Sequence, residues 1–315
     1  MRIARFGLGV QPALASPSVG AVTTVYSFDA NSGEYLEGLA IDKAGNVYGG
    51  LAFLGQVWKF SPDGTPSLFA TLDIGQAGAI VGLAVDAEGD LYVCVVSDVE
   101  GTHGIWKVSR DGSTVLFAAL PPKTNPFTGF TGFGFPNGLA FDDDGNLYVT
   151  DSVLAAIWKI TKNGKATLWL QDPLLNYGCC MFGANGVEFD SGSMFISNTD
   201  LGLIARVEKP EDGKPPRAEL FVQDPALVGA DGIAFDERHN LYVAIDRQNT
   251  LLRISPDGAL TTLATPSDGL DYPASTSFDQ WHGTRKFLYF TNAGLNSNTP
   301  SLQRVDVGVR GEPLP

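Results

Sequence analysis

Residues 137–151 read NGLAFDDDGNLYVTD. Two short apolar runs flank a Gly145-Asn146 turn, the pattern of two antiparallel strands joined tightly. The same unit, x-Gly-apolar-x-apolar-Asp, then a turn, then an aromatic-centred apolar run, recurs along the chain. It reads EGLAIDKAGNVYGG from Glu37, VGLAVDAEGDLYVCV from Val81, NGVEFDSGSMFISN from Asn185 and DGIAFDERHNLYVAI from Asp231. A degenerate copy, ASTSFDQWHGTRKFLYFTN, starts at Ala274. The starts lie 44, 56, 48, 46 and 43 residues apart. A period in the forties, with several short strands per unit, predicts a β-propeller.

Each unit continues into two further strands. After the third copy, Ile157-Trp158-Lys159-Ile160 alternates as a half-buried strand should, and Ala166–Leu170 forms an outer edge. Lys59, Lys107, Lys159, Arg206, Arg253 and Arg304 share one position on the third strand, which suits its solvent side. Trp58, Trp106 and Trp158 precede three of these charges and are read as packing between neighbouring blades. The chain ends close the ring. The last unit stops without an outer strand, and residues 22–28 form an orphan strand ahead of the first. Pairing 22–28 with 302–307 completes the sixth blade and leaves no open edge. The expected fold is therefore all-β: one six-bladed propeller of four-stranded blades over residues 21–315.

Composition agrees and narrows the partners. With 44% hydrophobic and 18% charged residues the chain can bury a large core, and 37 glycines with 19 prolines favour many turns over long helices. A formal net charge of −14 argues against nucleic acid or an anionic membrane surface as partner, since both call for a basic face. No apolar run is long enough to span a bilayer. Residues 1–20 carry Arg2 and Arg5 before a short apolar stretch, Phe6–Val10, interrupted by Gln11 and Pro12. This segment reads evenly as a weak export signal, giving a secreted or periplasmic protein, or as the start of a cytoplasmic one.

Superposing the units brings the first residue of each to one end of the central channel. In order these are Glu37, Val81, Asn137, Asn185, Asp231 and Ala274. Two carboxylates and two amides converging on an axis call for something positive between them. An all-oxygen donor set suits calcium first, then magnesium or manganese. The residues alone leave a second reading open, because Asn-Gly and Asp-Gly are also ordinary turn signals. That reading does not account for Glu37. The Asp that closes each first strand (Asp42, Asp86, Asp142, Asp190, Asp236 and Asp279) recurs in all six blades and is assigned to the scaffold.

The repeat with its Glu, Asn, Asn, Asp order resembles the regucalcin/gluconolactonase family over roughly residues 22 to 310. The resemblance implies a six-bladed propeller holding a divalent cation, usually calcium, at the channel mouth, and hydrolysis of lactones or related esters. Carried over, Glu37, Asn185 and Asp231 would be metal ligands. Asn137 would ligate the metal or hold substrate beside it, and Asp231 would double as general base. Such a cation would polarise the lactone carbonyl and activate water. The alternatives are a non-hydrolytic relative, such as a lyase, an isomerase or a strictosidine-synthase-like enzyme, and a non-catalytic NHL-like binding propeller.

Two long loops on the quartet face supply candidate substrate contacts. Residues 121–136 carry Phe133 and Phe135, and residues 172–184 carry Tyr177 and Met181. These side chains either form an apolar pocket, pointing to an apolar lactone or ester as substrate, or simply cap the blade ends. His103, on the 97–104 loop, is a further candidate contact. His239 and His282 fall in turns on the opposite face and read as solvated. The adjacent Cys179 and Cys180 are read as free thiols in a buried loop, because a vicinal disulfide is strained.

Overall fold

The computed structural model describes residues 19–99, 101–209, 214–280 and 285–314. The N-terminal segment with its targeting signal, and His282, lie outside these residues. Among the described residues the chain forms six four-stranded antiparallel sheets, one small hairpin and five single turns of 3-10 helix. The third blade runs Pro136–Phe141, Leu147–Asp151, Ala156–Ile160 and Ala166–Gln171 from the axis outward. The ring closes as the sequence predicts. Thr23–Ser27 pairs antiparallel with Ser301–Asp306, with Thr23 opposite Arg304 and Ser27 opposite Ser301.

Neighbouring blades are joined by apolar packing. Tyr148, on the second strand, meets Trp169 of its own outer strand at 5.1 Å between ring centroids and Phe189 of the next blade at 5.4 Å. Tyr92 repeats this with Phe117 and Phe141, and Phe195 with Phe221 and Phe235. Edge-to-face contacts of this kind add to the area that each ring buries. The third-strand cations are not merely solvated. Lys159 Nζ lies 5.0 Å from the centroid of Tyr148, and Lys107 lies 5.4 Å from Tyr92. The tryptophans pack between blades as expected: Trp158 is fully buried against second-blade residues, and Trp58 meets Tyr26 and Phe28 of the sixth.

Of the repeated aspartates, Asp42, Asp86, Asp142 and Asp236 cap turns, whereas Asp190 meets His239. Asp42 Oδ1 accepts the N–H groups of Ala44 and Asn46, and Asp86 and Asp236 each do the same at their own turns. The glycine after each candidate residue has a different purpose. A Cβ on Gly38 would sit 2.0 Å from the Val81 carbonyl oxygen, and one on Gly186 would sit 2.4 Å from that of Asp231. Only glycine lets the innermost strands come this close around the axis.

Candidate functional site

The innermost strand of every blade carries a register irregularity at the same place, between Leu36 and Leu39 in the first blade and between Ala230 and Ile233 in the fifth. Glu37, Asn137, Asn185 and Asp231 occupy these bulges, which aim them differently from a regular strand residue. The Asn-Gly and Asp-Gly pairs thus lie within strands and are not turns, and their glycines lack positive φ. Asn137, Asn185 and Asp231 are buried and border a narrow axial cavity of about 120 Å³.

Two tiers of side chains hold this ring. Asn137 Nδ2 donates to Ser152 Oγ at 3.2 Å, and that hydroxyl donates to the Ala184 carbonyl at 2.7 Å. Asn185 Nδ2 donates to Thr199 Oγ1 at 3.0 Å, and Thr199 donates to the Ala230 carbonyl at 2.8 Å. With each amide nitrogen engaged by a hydroxyl, the amide oxygens remain available as acceptors. Behind them, the Thr150 hydroxyl donates to the Asn185 carbonyl, Ser197 to that of Asp231 at 2.6 Å and Thr291 to that of Glu37 at 2.8 Å. Each hydroxyl comes from the preceding blade and fixes the backbone of the residue presented by the next.

The electrostatics are those of crowded anions. Burial, and next the charge of Asp246, push the Glu37 carboxyl up to about 7. Burial, then Glu37, then Asp246 raise Asp231 well above the ordinary carboxylate range, against a hydrogen bond from Asn185 that lowers it. Asp246 is itself raised to about 6, chiefly by burial, with Arg247 working against the rise. Its Oδ1 is buried without any hydrogen-bond partner. Arg247 does not neutralise the group, because its Nη2 is turned to Asp200 Oδ1 at 2.7 Å. Asp246 raises both Glu37 and Asp231, and its orphaned oxygen, these two carboxylates and the two oriented amides make up a hard, oxygen-only donor set. It fits a divalent cation such as calcium.

Asp151, Asn198 and Asp246 all lie at or just past the ends of their second strands, yet the structure gives them different partners. Asp151 accepts from Phe135 N, Leu154 N and Trp158 Nε1, while Asn198 Nδ2 donates to the Leu174 and Asn176 carbonyls. Both brace loops. Asp246 lies one position further on, in register with Ser152 and Thr199, and joins the acidic cluster. That shared register was present in the sequence and marks all three.

The loops around the mouth are knit together. Phe135 meets Phe182 edge-to-face at 5.5 Å, and the buried Asn125 donates to the Val153 carbonyl and to Asn176 Oδ1. Phe133, Phe135 and Tyr177 are half-buried, and Met181 is exposed. His103 is 2% exposed; its Nδ1 accepts from Ser97 N, its Nε2 has no partner, and its ring packs 5.0 Å from Phe133. Burial holds its pKa down at about 4, so the imidazole is neutral. Cys179 and Cys180 correct the sequence reading: they are exposed, with their sulfurs 2.7 Å apart. His239 is not simply solvated either, since its Nδ1 lies 2.7 Å from Asp190 Oδ1.

Comparisons with known proteins bear on the fold and the repeat. A family profile for the NHL repeat matches residues 133–158. Lactonase drp35 of Staphylococcus aureus is 22% identical over 240 residues, which cover 73% of this chain and 69% of the relative. Among solved structures, a gluconolactonase from Xanthomonas campestris superposes with a TM-score of 0.66 at 19% identity, covering 96% of this chain and 99% of the other. A calcium-binding regucalcin from Agrobacterium tumefaciens gives 0.65 at 16%, covering 94% and 96%. In fold, the chain is similar to the propellers of these gluconolactonase and regucalcin structures, and its repeat sequence is similar to that of lactonase drp35.

Proposed function

We propose that the chain is a divalent-cation-dependent hydrolase of lactones or related esters. The observation that carries this reading is the ring of Glu37, Asn137, Asn185 and Asp231 backed by the unpartnered oxygen of Asp246. Glu37, Asn185 and Asp231 would hold the ion, calcium in the first instance, with magnesium or manganese as alternatives. Asn137 would serve as a fourth ligand or a substrate contact. When bound, the cation supplies Lewis-acid polarisation of the substrate carbonyl.

Asp231 acts as the general base. Burial, and next crowding by Glu37 and Asp246, makes its carboxylate a stronger proton acceptor than an exposed one. It takes the proton of the attacking water and passes it to the ring oxygen as the acyl C–O bond breaks. Ser152 and Thr199 keep the Asn137 and Asn185 amides turned, so that their oxygens stay on the axis without reorganising during the reaction. Phe133, Phe135, Tyr177 and Met181 give the approach an apolar wall, which favours an apolar lactone or ester over a free sugar lactone. The lactonase and gluconolactonase names among the relatives support this reaction class. The NHL-repeat match supports a binding propeller as the second reading.

The test is a panel of apolar and sugar lactones and aryl esters, assayed with calcium and after chelation. Turnover that chelator removes and calcium restores supports the hydrolase. Turnover indifferent to chelation contradicts it, and no turnover alongside stoichiometric calcium moves the reading to a binding propeller.

A further inference from the structure

Cys179 and Cys180 lie in the segment from Asp172 to Ala184, which leads directly into Asn185. Adjacent cysteines usually keep their sulfurs apart, because a bond between them closes a small strained ring. Here the backbone holds them together. One carboxylate oxygen, Asp200 Oδ2, accepts the N–H groups of Gly178 at 3.0 Å, Cys180 at 2.9 Å and Phe182 at 3.2 Å. Asp200 has a fully buried side chain, and its other oxygen pairs with Arg247, the neighbour of Asp246. The Asp200 N–H returns to the Phe182 carbonyl at 2.9 Å. The turn is thus pinned from beneath, with both thiols at the surface and in contact. Cys94, by contrast, is wholly buried, and burial pushes its thiol well up, so it stays silent in the folded protein.

We propose that Cys179 and Cys180 are a reversible modification site: a vicinal disulfide, formed by exchange with a low-molecular-weight disulfide, that fixes the loop carrying Tyr177, Met181 and Phe182 over the channel mouth. One cysteine, as thiolate, attacks a sulfur of the small disulfide; that S–S bond breaks and one small thiolate leaves. The second cysteine loses its proton and attacks the mixed disulfide, which forms the Cys179–Cys180 bond and expels the second small thiolate. The two cysteines are oxidised, the small disulfide is reduced to two thiols, and the two cysteine protons end on those thiols. The consequence for substrate access rests on the proposed hydrolase reading, but the chemistry of the pair does not.

The experiment treats the reduced full chain with oxidised glutathione and reads intact mass and a peptide map. The expected result is loss of two hydrogen atoms, no retained glutathione and a linked Cys179–Cys180 peptide, all reversed by dithiothreitol. Native thiol titration should fall from two groups to none, with Cys94 appearing only on unfolding. Cys180→Ser should instead trap glutathione on Cys179. A persistent glutathione adduct on the unsubstituted chain, a disulfide between two chains, or two unreacted thiols would overturn the proposal. None of these readouts uses turnover, so failure of the hydrolase reading leaves the test intact. Where a lactone is turned over, oxidation should change KM more than kcat while leaving the calcium-induced rise in Tm unchanged.

Discussion

The two mouths of the channel both gather acids, and they settle the charge in different ways. At the lower mouth, Asp190 pairs with His239, Glu188 Oε1 accepts the Phe189 N–H, and Glu312 arrives on the C-terminal tail. Burial, and next a hydrogen bond with Asp190, push Glu312 up to about 8, so it holds a proton. The tail is tied in through Glu312 N to the Phe235 carbonyl and through Gln280 to the Glu312 carbonyl. This mouth opens into the larger concavity, about 800 Å³, lined in part by Tyr148, Trp169, Phe189 and Leu314. At the upper mouth the described residues include no protonated tail, the one histidine, His103, is neutral and packs on Phe133, and the nearby arginine is committed to Asp200. The lesson is that acids alone do not mark a cation site. What matters is whether the fold has already supplied their compensation, and among the described residues only the upper mouth leaves a buried acidic oxygen orphaned.

The comparison is most exposed to mutation of one acid from each mouth. Asp231→Asn should lower turnover by about 10²–10⁴-fold, the range for losing a general base, with the fold intact. Glu312→Gln should leave turnover within a small factor of the unsubstituted chain. Equal losses in steady-state assays would mean that both mouths serve the reaction. Next in size is the hydroxyl tier. Ser197→Ala leaves the buried Asp231 carbonyl without its donor and should cost about 1–3 kcal/mol in chemical denaturation. A change near zero would mean that the bulge holds itself.

The smallest effect is on pH dependence at the lower mouth. Glu312 has a folded-state pKa raised from 4.5 to about 8. Its protonated form favours folding, so its contribution is full below the unfolded value and is lost as pH rises through about 8. His239 is also raised, mainly by its hydrogen bond to Asp190, and its contribution likewise fades above its ordinary range. The chain should therefore lose Tm between about pH 4.5 and 8, and Glu312→Gln should flatten that slope. Parallel curves from differential scanning calorimetry would show that the tail contact is not proton-linked.

Much of this was legible because propeller blades repeat. Five copies of x-Gly-apolar-x-apolar-Asp and a degenerate sixth fixed the blade count, the orphan strand at 22–28 forecast the closure seen between Thr23–Ser27 and Ser301–Asp306, and Asp42, Asp86, Asp142 and Asp236 proved to be turn caps. The four candidate residues were found from their column on the first strand. What escaped was the matching column on the second strand. Thr150, Ser197 and Thr291 share one position, and Ser152, Thr199 and Asp246 share another, but their meaning depends on which blade lies next round the ring. The Asp190–His239 pair crosses blades in the same way, and the exposure of Cys179 and Cys180 follows from contacts to Asp200 that no local pattern announces.

The central claim is that Glu37, Asn137, Asn185 and Asp231, with Asp246 behind them, hold one divalent cation. Metal analysis of the purified chain, paired with a calcium titration followed by thermal melting, tests it most directly. Stoichiometric calcium is expected, with a Tm that rises with calcium and falls with chelator. Glu37→Gln should hold no calcium and show no shift on titration. Absence of bound metal, together with an unchanged Tm at millimolar calcium, would contradict it.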